Sequence, residues 1–405
     1  MVAPLYLSSF VRSGSTRRTA VGLIFGAPLM AGCAGFQSNL PNFGGIFGSE
    51  SAPGPSGPPQ QPTAVGSGQV RVGLILPLSG AGNAGVAAQS MKNAAEMALA
   101  EFQAPNIQLL VKDDAGTPQG AQQGAQQAVD EGAEIILGPL FAAAVPAVAQ
   151  VARTRGVPVI AFSTDSSVAG RGVYLLSFLP ESDVNRIVDY ASGSGRKSFA
   201  AMLPENAYGN VVEAAFKQAV SRRGGRIVAF ERYSGDRASA SRALAAALPN
   251  ADALFLADDG EALVATAESI NATGANLKRL QLIGTGLWDN PAVFGYPPLQ
   301  GGLYAAPDAA GYRAFANRYR ARFGRDPVRT ATLAYDAVAL VAALAKTQGG
   351  QRFAPETLTN PSGFAGIDGL FRFKADGTND RGLAVLRVAA GGGQLVAGSP
   401  KSFGA

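Results

Sequence analysis

The sequence predicts an α/β protein made of two doubly wound parallel-sheet lobes joined by a multi-strand hinge. Three observations carry this. Short apolar runs alternate with amphipathic helical stretches from Val70 to Gly284, the pattern of right-handed βαβ units. The alternation completes one series, pauses near 180–183 and restarts at Ser198. A hydrophobic content of 47%, with only 16% charged residues, supplies core for both series and argues against a disordered chain.

The first series opens with a strand over 70–78, an apolar run that ends in Pro77-Leu78-Ser79-Gly80-Ala81-Gly82. Met91, Ala95, Ala98, Leu99 and Phe102 then fall on one face of a helix over 87–102. Strands over 107–114, 134–139 and 157–162 alternate with helices over 118–131 and 142–155. The second series places strands at 198–203, 225–231, 253–257 and 281–284, with helices over 209–223, 238–248 and 260–273. Two further helices, 309–323 and 330–346, follow. The chain closes with 369–373 and 383–388, read as an antiparallel pair across Lys374-Ala375-Asp376-Gly377, where Asp-Gly is a turn signal. Crossings between lobes are expected near 180–183, 305–308 and 364–368. One lobe is therefore 70–181 plus 306–365, and the other 182–305 plus 366–395.

The chain has no histidine and one cysteine, Cys33. That excludes Ser-His-Asp and Cys-His catalysis, His-ligated zinc and an intramolecular disulfide, and no enzymatic activity is expected. Arg12, Arg17 and Arg18 form a basic leader, and an apolar stretch over 21–30, too short to span a bilayer, ends in Leu29-Met30-Ala31-Gly32-Cys33. This order resembles a bacterial lipobox, which implies a signal peptide over 1–32, lipidation of Cys33 and anchoring to a bilayer. Residues 34–69 are rich in Gly, Ser, Pro and Gln and nearly uncharged, so 33–69 reads as the lipidated Cys and a disordered tether. Much of the formal net charge of +5 sits in the leader. The remaining body is near neutral and gives no footprint for nucleic acid.

From Val70 to Val388 the order resembles the type I periplasmic-binding fold, and within it the leucine/isoleucine/valine-binding proteins of ABC importers. The residues that carry the likeness are Val72-Gly73-Leu74-Ile75-Leu76-Pro77-Leu78-Ser79-Gly80, Asp113-Asp114 followed by Pro118, Gly156-Val157-Pro158-Val159-Ile160, Ala207-Tyr208-Gly209 and Tyr335-Asp336-Ala337-Val338. The resemblance implies a small-molecule ligand, hinge closure, an ABC permease partner and a periplasmic, membrane-anchored location. Gly138-Pro139-Leu140-Phe141 looks like a segment of penicillin-binding-protein activator lipoproteins of the same fold, which implies a peptidoglycan synthase as partner instead. Ala34 rather than Asp after the Cys favours the outer membrane if the cell is Gram-negative.

Ligands of open α/β sheets sit beyond the carboxyl ends of the strands. The candidate ligand-binding residues are therefore Ser79, Phe141, Ser163 and Thr164 in the first lobe, and Tyr208, Asp259, Trp288 and Asp289 in the second. Hydroxyls and backbone N–H groups at helix starts suit a carboxylate. The second-lobe acids suit an ammonium, and Tyr208 and Trp288 an apolar group. In amino-acid-binding relatives, hydroxyls of the second and third first-lobe loops hold the ligand carboxylate. Ser163 and Thr164 keep that chemistry, whereas Phe141, Ala142, Ala143 and Ala144 do not. Gly80-Ala81-Gly82-Asn83-Ala84-Gly85 has the spacing of a dinucleotide fingerprint, but an exported chain does not meet reduced nicotinamide. No cofactor or metal is expected.

Overall fold

A computed structural model describes residues 64–403. The expected leader, Cys33 and the tether up to residue 63 lie outside the described residues. The first lobe begins with β1 (Ala64–Val65), β2 (Val70–Leu76), α1 (Asn83–Glu101), β3 (Ile107–Asp113), α2 (Pro118–Asp130), β4 (Ile135–Leu137), α3 (Val145–Thr154), β5 (Val159–Ala161) and β6 (Val173–Leu175). The second follows as α4 (Pro180–Gly193), β7 (Ser198–Pro204), α5 (Ala207–Arg222), β8 (Arg226–Tyr233), α6 (Arg237–Ala245), β9 (Ala253–Leu256), α7 (Gly260–Asn271), β10 (Gln281–Gly284), α8 (Pro291–Gly295) and β11 (Leu303–Ala306). The chain returns to the first lobe for α9 (Ala309–Phe323), α10 (Ala331–Thr347), α11 (Pro355–Leu358), β12 (Phe364–Gly366), β13 (Gly369–Phe373) and β14 (Asn379–Arg381). It ends in the second with β15 (Ala384–Ala389) and β16 (Gly392–Ala397).

The first sheet runs β1-β3-β2-β4-β5-β6 and is parallel except for β1. The second runs β16-β15-β11-β10-β9-β7-β8, with β15 and β16 antiparallel to their neighbours. Helices cover both faces of each sheet, which is why the inner strands are apolar throughout rather than alternating. In β2, Val70, Val72, Leu74 and Leu76 join the core with α1 and α10, while Ile75 joins α2 and α3. Gly73 keeps α2 close, since a Cβ there would stand 3.0 Å from Ala128 Cβ. In the second lobe Trp288 is fully buried and its Nε1 donates to Leu256 O at 3.2 Å. Its ring lies on Gly284, where a Cβ would come within 2.0 Å.

Three expectations are corrected. The tether does not reach residue 69, because Ala64 and Val65 pair antiparallel with Leu110 and Leu109, and Gly66 turns at φ +90° to allow it. The pair across 374–377 forms between β13 and the short β14, while β15 leaves to pair with β11. The third crossing consequently lies at Gly382–Leu383, not near 364–368: Phe371 and Phe373 pack in the first-lobe core, whereas Leu383 and Val385 pack in the second. The pause near 180–183 is the first turn of α4, with Pro180 at its start and Glu181 and Asp183 within it, a helix-start signature.

The crossings enclose a cluster of buried charge. Phe178, on the first crossing, lies 4.7 Å from the Arg329 guanidinium and 4.6 Å from that of Arg381. Arg381 Nε and Asn379 Nδ2 both donate to Ser177 O, at 2.8 and 3.0 Å. Arg329 forks onto Asp368 at 2.8 and 2.6 Å, and Thr332 Oγ1 donates to the same carboxylate. Asp336 Oδ1 accepts from Ile367 N, and Asp183 Oδ2 accepts from Gly286 N. Burial lifts the Asp336 carboxyl to about 7, with the Asp368 charge adding to the shift and Arg381 and Arg329 opposing it. Burial likewise lifts Asp183 to about 7, with Glu181 adding and the Gly286 N–H and Arg381 opposing. Asp368 is also penalised by burial, but Arg329 holds its carboxyl below the usual range.

Two predictions follow from this packing. Trp288→Ala should cost about 3–5 kcal/mol in urea unfolding, because no neighbour can refill the space; a loss below about 1 kcal/mol would contradict the core role. A carboxyl whose pKa is raised on folding stabilises fully below its unfolded value of about 3.9 and loses that contribution as pH rises through its folded value. Asp183 and Asp336 should therefore make the melting temperature fall between about pH 4 and about pH 7. Asp336→Asn should flatten that fall, and an unchanged slope would show that Asp336 does not titrate in this window.

Candidate functional site

The loops after the parallel strands gather at one end of each sheet. In the first lobe the turn after β3 is the most constrained: Ala115 and Gly116 take φ of +49° and +71°. Asp113 Oδ1 accepts from Ser79 N at 3.2 Å and from Ala115 N at 2.9 Å, tying the β2 and β3 loops together, and Asp114 Oδ1 accepts from Gly116 N at 2.7 Å. Asp114 is fully buried and its Oδ2 has no partner among the described residues; burial lifts its carboxyl to about 6, and the Asp113 charge adds to this. The Phe141 ring borders Gly116, 3.5 Å from where a Cβ would stand, and is itself partly exposed.

In the second lobe a cavity of about 400 Å³ opens at the ends of β7, β8 and β9. Tyr208, Tyr233, Arg237, Asp258, Asp259 and Leu287 are among its lining residues. Asp258 is buried and accepts from Tyr233 OH at 2.5 Å and from Thr266 Oγ1 at 2.7 Å. Arg237 Nε donates to Thr266 Oγ1 at 3.0 Å, and its guanidinium stands 4.7 Å from the Tyr233 ring centre. Burial raises the Asp258 carboxyl, against the two hydroxyl bonds and the Arg237 charge. Asp259 precedes α7 without capping it. Its carboxylate hydrogen-bonds no other described residue, and burial together with Asp258 raises its pKa.

Among the residues singled out from sequence, Tyr208 and Asp259 meet in this cavity. Tyr208 is nonetheless mostly buried, with its hydroxyl 2.8 Å from Thr285 Oγ1. Ser79, Phe141, Ser163 and Thr164 belong to the first lobe and do not line it. Ser79 is exposed, whereas Ser163 is buried with its Oγ accepting from Asp165 N at 3.0 Å. Trp288 is a correction: it fills the core, because the loop after β10 folds back as a short turn that drives the indole under the sheet. Asp289, next to it, is exposed and accepts from Tyr304 OH at 3.3 Å. Sequence reasoning missed Glu205, Tyr233 and Arg237. The signal was present, since Ser234-Gly235-Asp236 is a strand-to-helix loop and Asp236 caps α6 through Ser239 N.

A family model described as periplasmic binding protein matches residues 69–393. Among solved structures, a putative branched-chain amino acid ABC transporter protein from Rhodospirillum rubrum superposes with a TM-score of 0.72 at 21% identity, over 81% of this chain and 99% of that one. A leucine-binding protein from Thermotoga maritima gives 0.55 at 21% identity, over 82% and 98%. A Rhodopseudomonas palustris solute-binding protein in complex with 3,4-dihydroxybenzoic acid gives 0.58 at 22% identity, over 82% and 97%. A curated relative, an uncharacterised protein of Rickettsia prowazekii, is 22% identical over 182 residues, 42% of this chain and 48% of its own length. The chain thus spans about half the length of the curated relative it matches. Among the described residues no helix is long and apolar enough to cross a membrane. With the family model covering most of its length and a two-lobed fold shared with solute-binding proteins, the chain belongs to the periplasmic binding protein family.

Proposed function

We propose that this chain is the extracytoplasmic receptor of an ABC importer, a lipoprotein tethered through Cys33 that binds a small polar ligand between its lobes and presents the closed form to a permease. The observation that carries the reading is the cavity at the strand ends of the second lobe. Its volume of about 400 Å³ suits a molecule of amino-acid or short-peptide size. The solved relatives are named for branched-chain amino acids or hold a dihydroxybenzoic acid, and the carry-over to this chain is a small organic molecule. A ligand that touches both lobes stabilises the closed arrangement by its differential affinity for it. Ser79, Ser163 and Thr164 are the first-lobe groups that closure would bring to it. A second reading, the cell-wall regulator, draws on the loop at Phe141 and the following alanines, which offers no hydroxyl to a ligand.

Two tests apply. Thermal-shift screening against amino acids, short peptides and peptidoglycan fragments should find a stabilising compound, since a ligand at about 100 Kd contributes about 2.7 kcal/mol. If nothing shifts the melting temperature yet the chain captures a penicillin-binding protein, the regulator reading replaces the importer reading. For the tether, a Cys33→Ala protein should leave the membrane fraction for the soluble fraction of the cell envelope; complete retention in membranes would refute lipid anchoring at that residue.

A further inference from the structure

We infer that the cleft selects a cationic ligand, an amine or guanidine that lacks a compensating carboxylate. This rests on the receptor reading above and names the ligand class for the same site.

The argument begins from where the charges lie. The whole chain carries more base than acid, 34 Lys and Arg against 29 Asp and Glu, yet among the described residues the cavity is lined by Glu205, Asp258 and Asp259 with Arg237 as its only base. The strand ends of the first lobe have the same sign. Segments 77–82, 114–117, 138–144 and 162–165 contain Asp114 and Asp165 and no Lys or Arg, and Asp113 closes β3 beside them. A concave site walled by low-dielectric protein and lined by one sign of charge concentrates counter-charged solutes.

The one base is already engaged. Arg237 is held by Thr266 Oγ1 and the Tyr233 ring, and its charge offsets Asp258. Asp259 has no such partner, and Glu205 is exposed with no side-chain hydrogen bond to a described residue. On the first lobe, Asp114 Oδ2 is enclosed without a partner. Buried, uncompensated carboxylates disfavour a further negative charge nearby and favour a positive one. The partly exposed Phe141 ring adds a surface over which a cation can sit. A ligand carboxylate finds less: the loop after Gly138 has no hydroxyl, and the first-lobe strand-end segments offer no Lys or Arg.

The test screens the full chain by thermal shift and titration calorimetry in three matched arms: the common amino acids, the amines left by their decarboxylation, and the carboxylic acids left by their deamination. The inference expects binding from the amine arm, weakened by salt and weakened at least tenfold in both Asp259→Asn and Glu205→Gln. Neither substitution removes a hydrogen bond that holds the fold, and unchanged melting temperatures of the free variants check this. Binding only by the acids, only by the zwitterions, or by amines whose affinity both variants leave unchanged overturns the cation inference and leaves the receptor reading standing. No binding from any arm overturns the cation inference, and the receptor reading is then decided by the wider thermal-shift screen above.

Discussion

Phe178 carries the guanidinium groups of both Arg329 and Arg381 over its ring, and the joint between the lobes is built around that contact. Arg329 comes from the first lobe just before α10, Arg381 from the strand that precedes the last crossing, and Phe178 from the first crossing. Two guanidinium groups over one ring, with Ser177 O held by Arg381 and Asn379, tie two crossings to each other. The carboxylates around this point come from both sides, with Asp336 and Asp368 on first-lobe elements and Asp183 on α4 of the second. Buried charges of this kind are costly unless paired. Among the described residues Arg381 retains two terminal nitrogens without partners, and Asp336 one oxygen. The crossings therefore form a polar joint between two apolar cores.

Such a joint explains how the site can be split. The second lobe alone forms a cavity, held open by an internal network in which Tyr233, Thr266 and Arg237 surround Asp258. The first lobe contributes loops stiffened by Asp113 and Asp114 rather than a pocket of its own. The groups used for stiffening and the groups left free are different residues on neighbouring positions. Asp258 holds the wall through Tyr233 and Thr266, while Asp259 beside it lines the cavity with its carboxylate bonded to no other described residue.

Much of the fold was legible because periodicity reports which face is buried. The β2, β3 and β10 runs and the α9 and α10 helices lie close to their expected positions, since each is long or uniformly apolar. What escaped was short or set by distant partners. The β1 strand is two residues paired to the edge of β3, and β14 is three residues paired with β13 and tied through Asn379 and Arg381 to Ser177 O. The α4 helix was readable from Pro180, Glu181 and Asp183 and was passed over because it coincides with a crossing. At the site, position after a strand end located Tyr208 and Asp259. It could not tell them from Trp288, since a loop residue turns toward solvent or core according to the length of the turn, and the turn after β10 sends the indole inward.

The central claim is that the two lobes move about the polar joint when the cleft is filled. The most direct measurement is the distance between spin labels on the exposed positions Gln123 of α2 and Gln218 of α5, in a Cys33→Ala background, with and without the compound that most raises the melting temperature. The account predicts that the compound shifts the distance distribution to a distinct population, and that Arg381→Met broadens the free distribution by loosening the joint. A distribution unchanged by the compound would show that the lobes are rigid and would contradict the closing-receptor account.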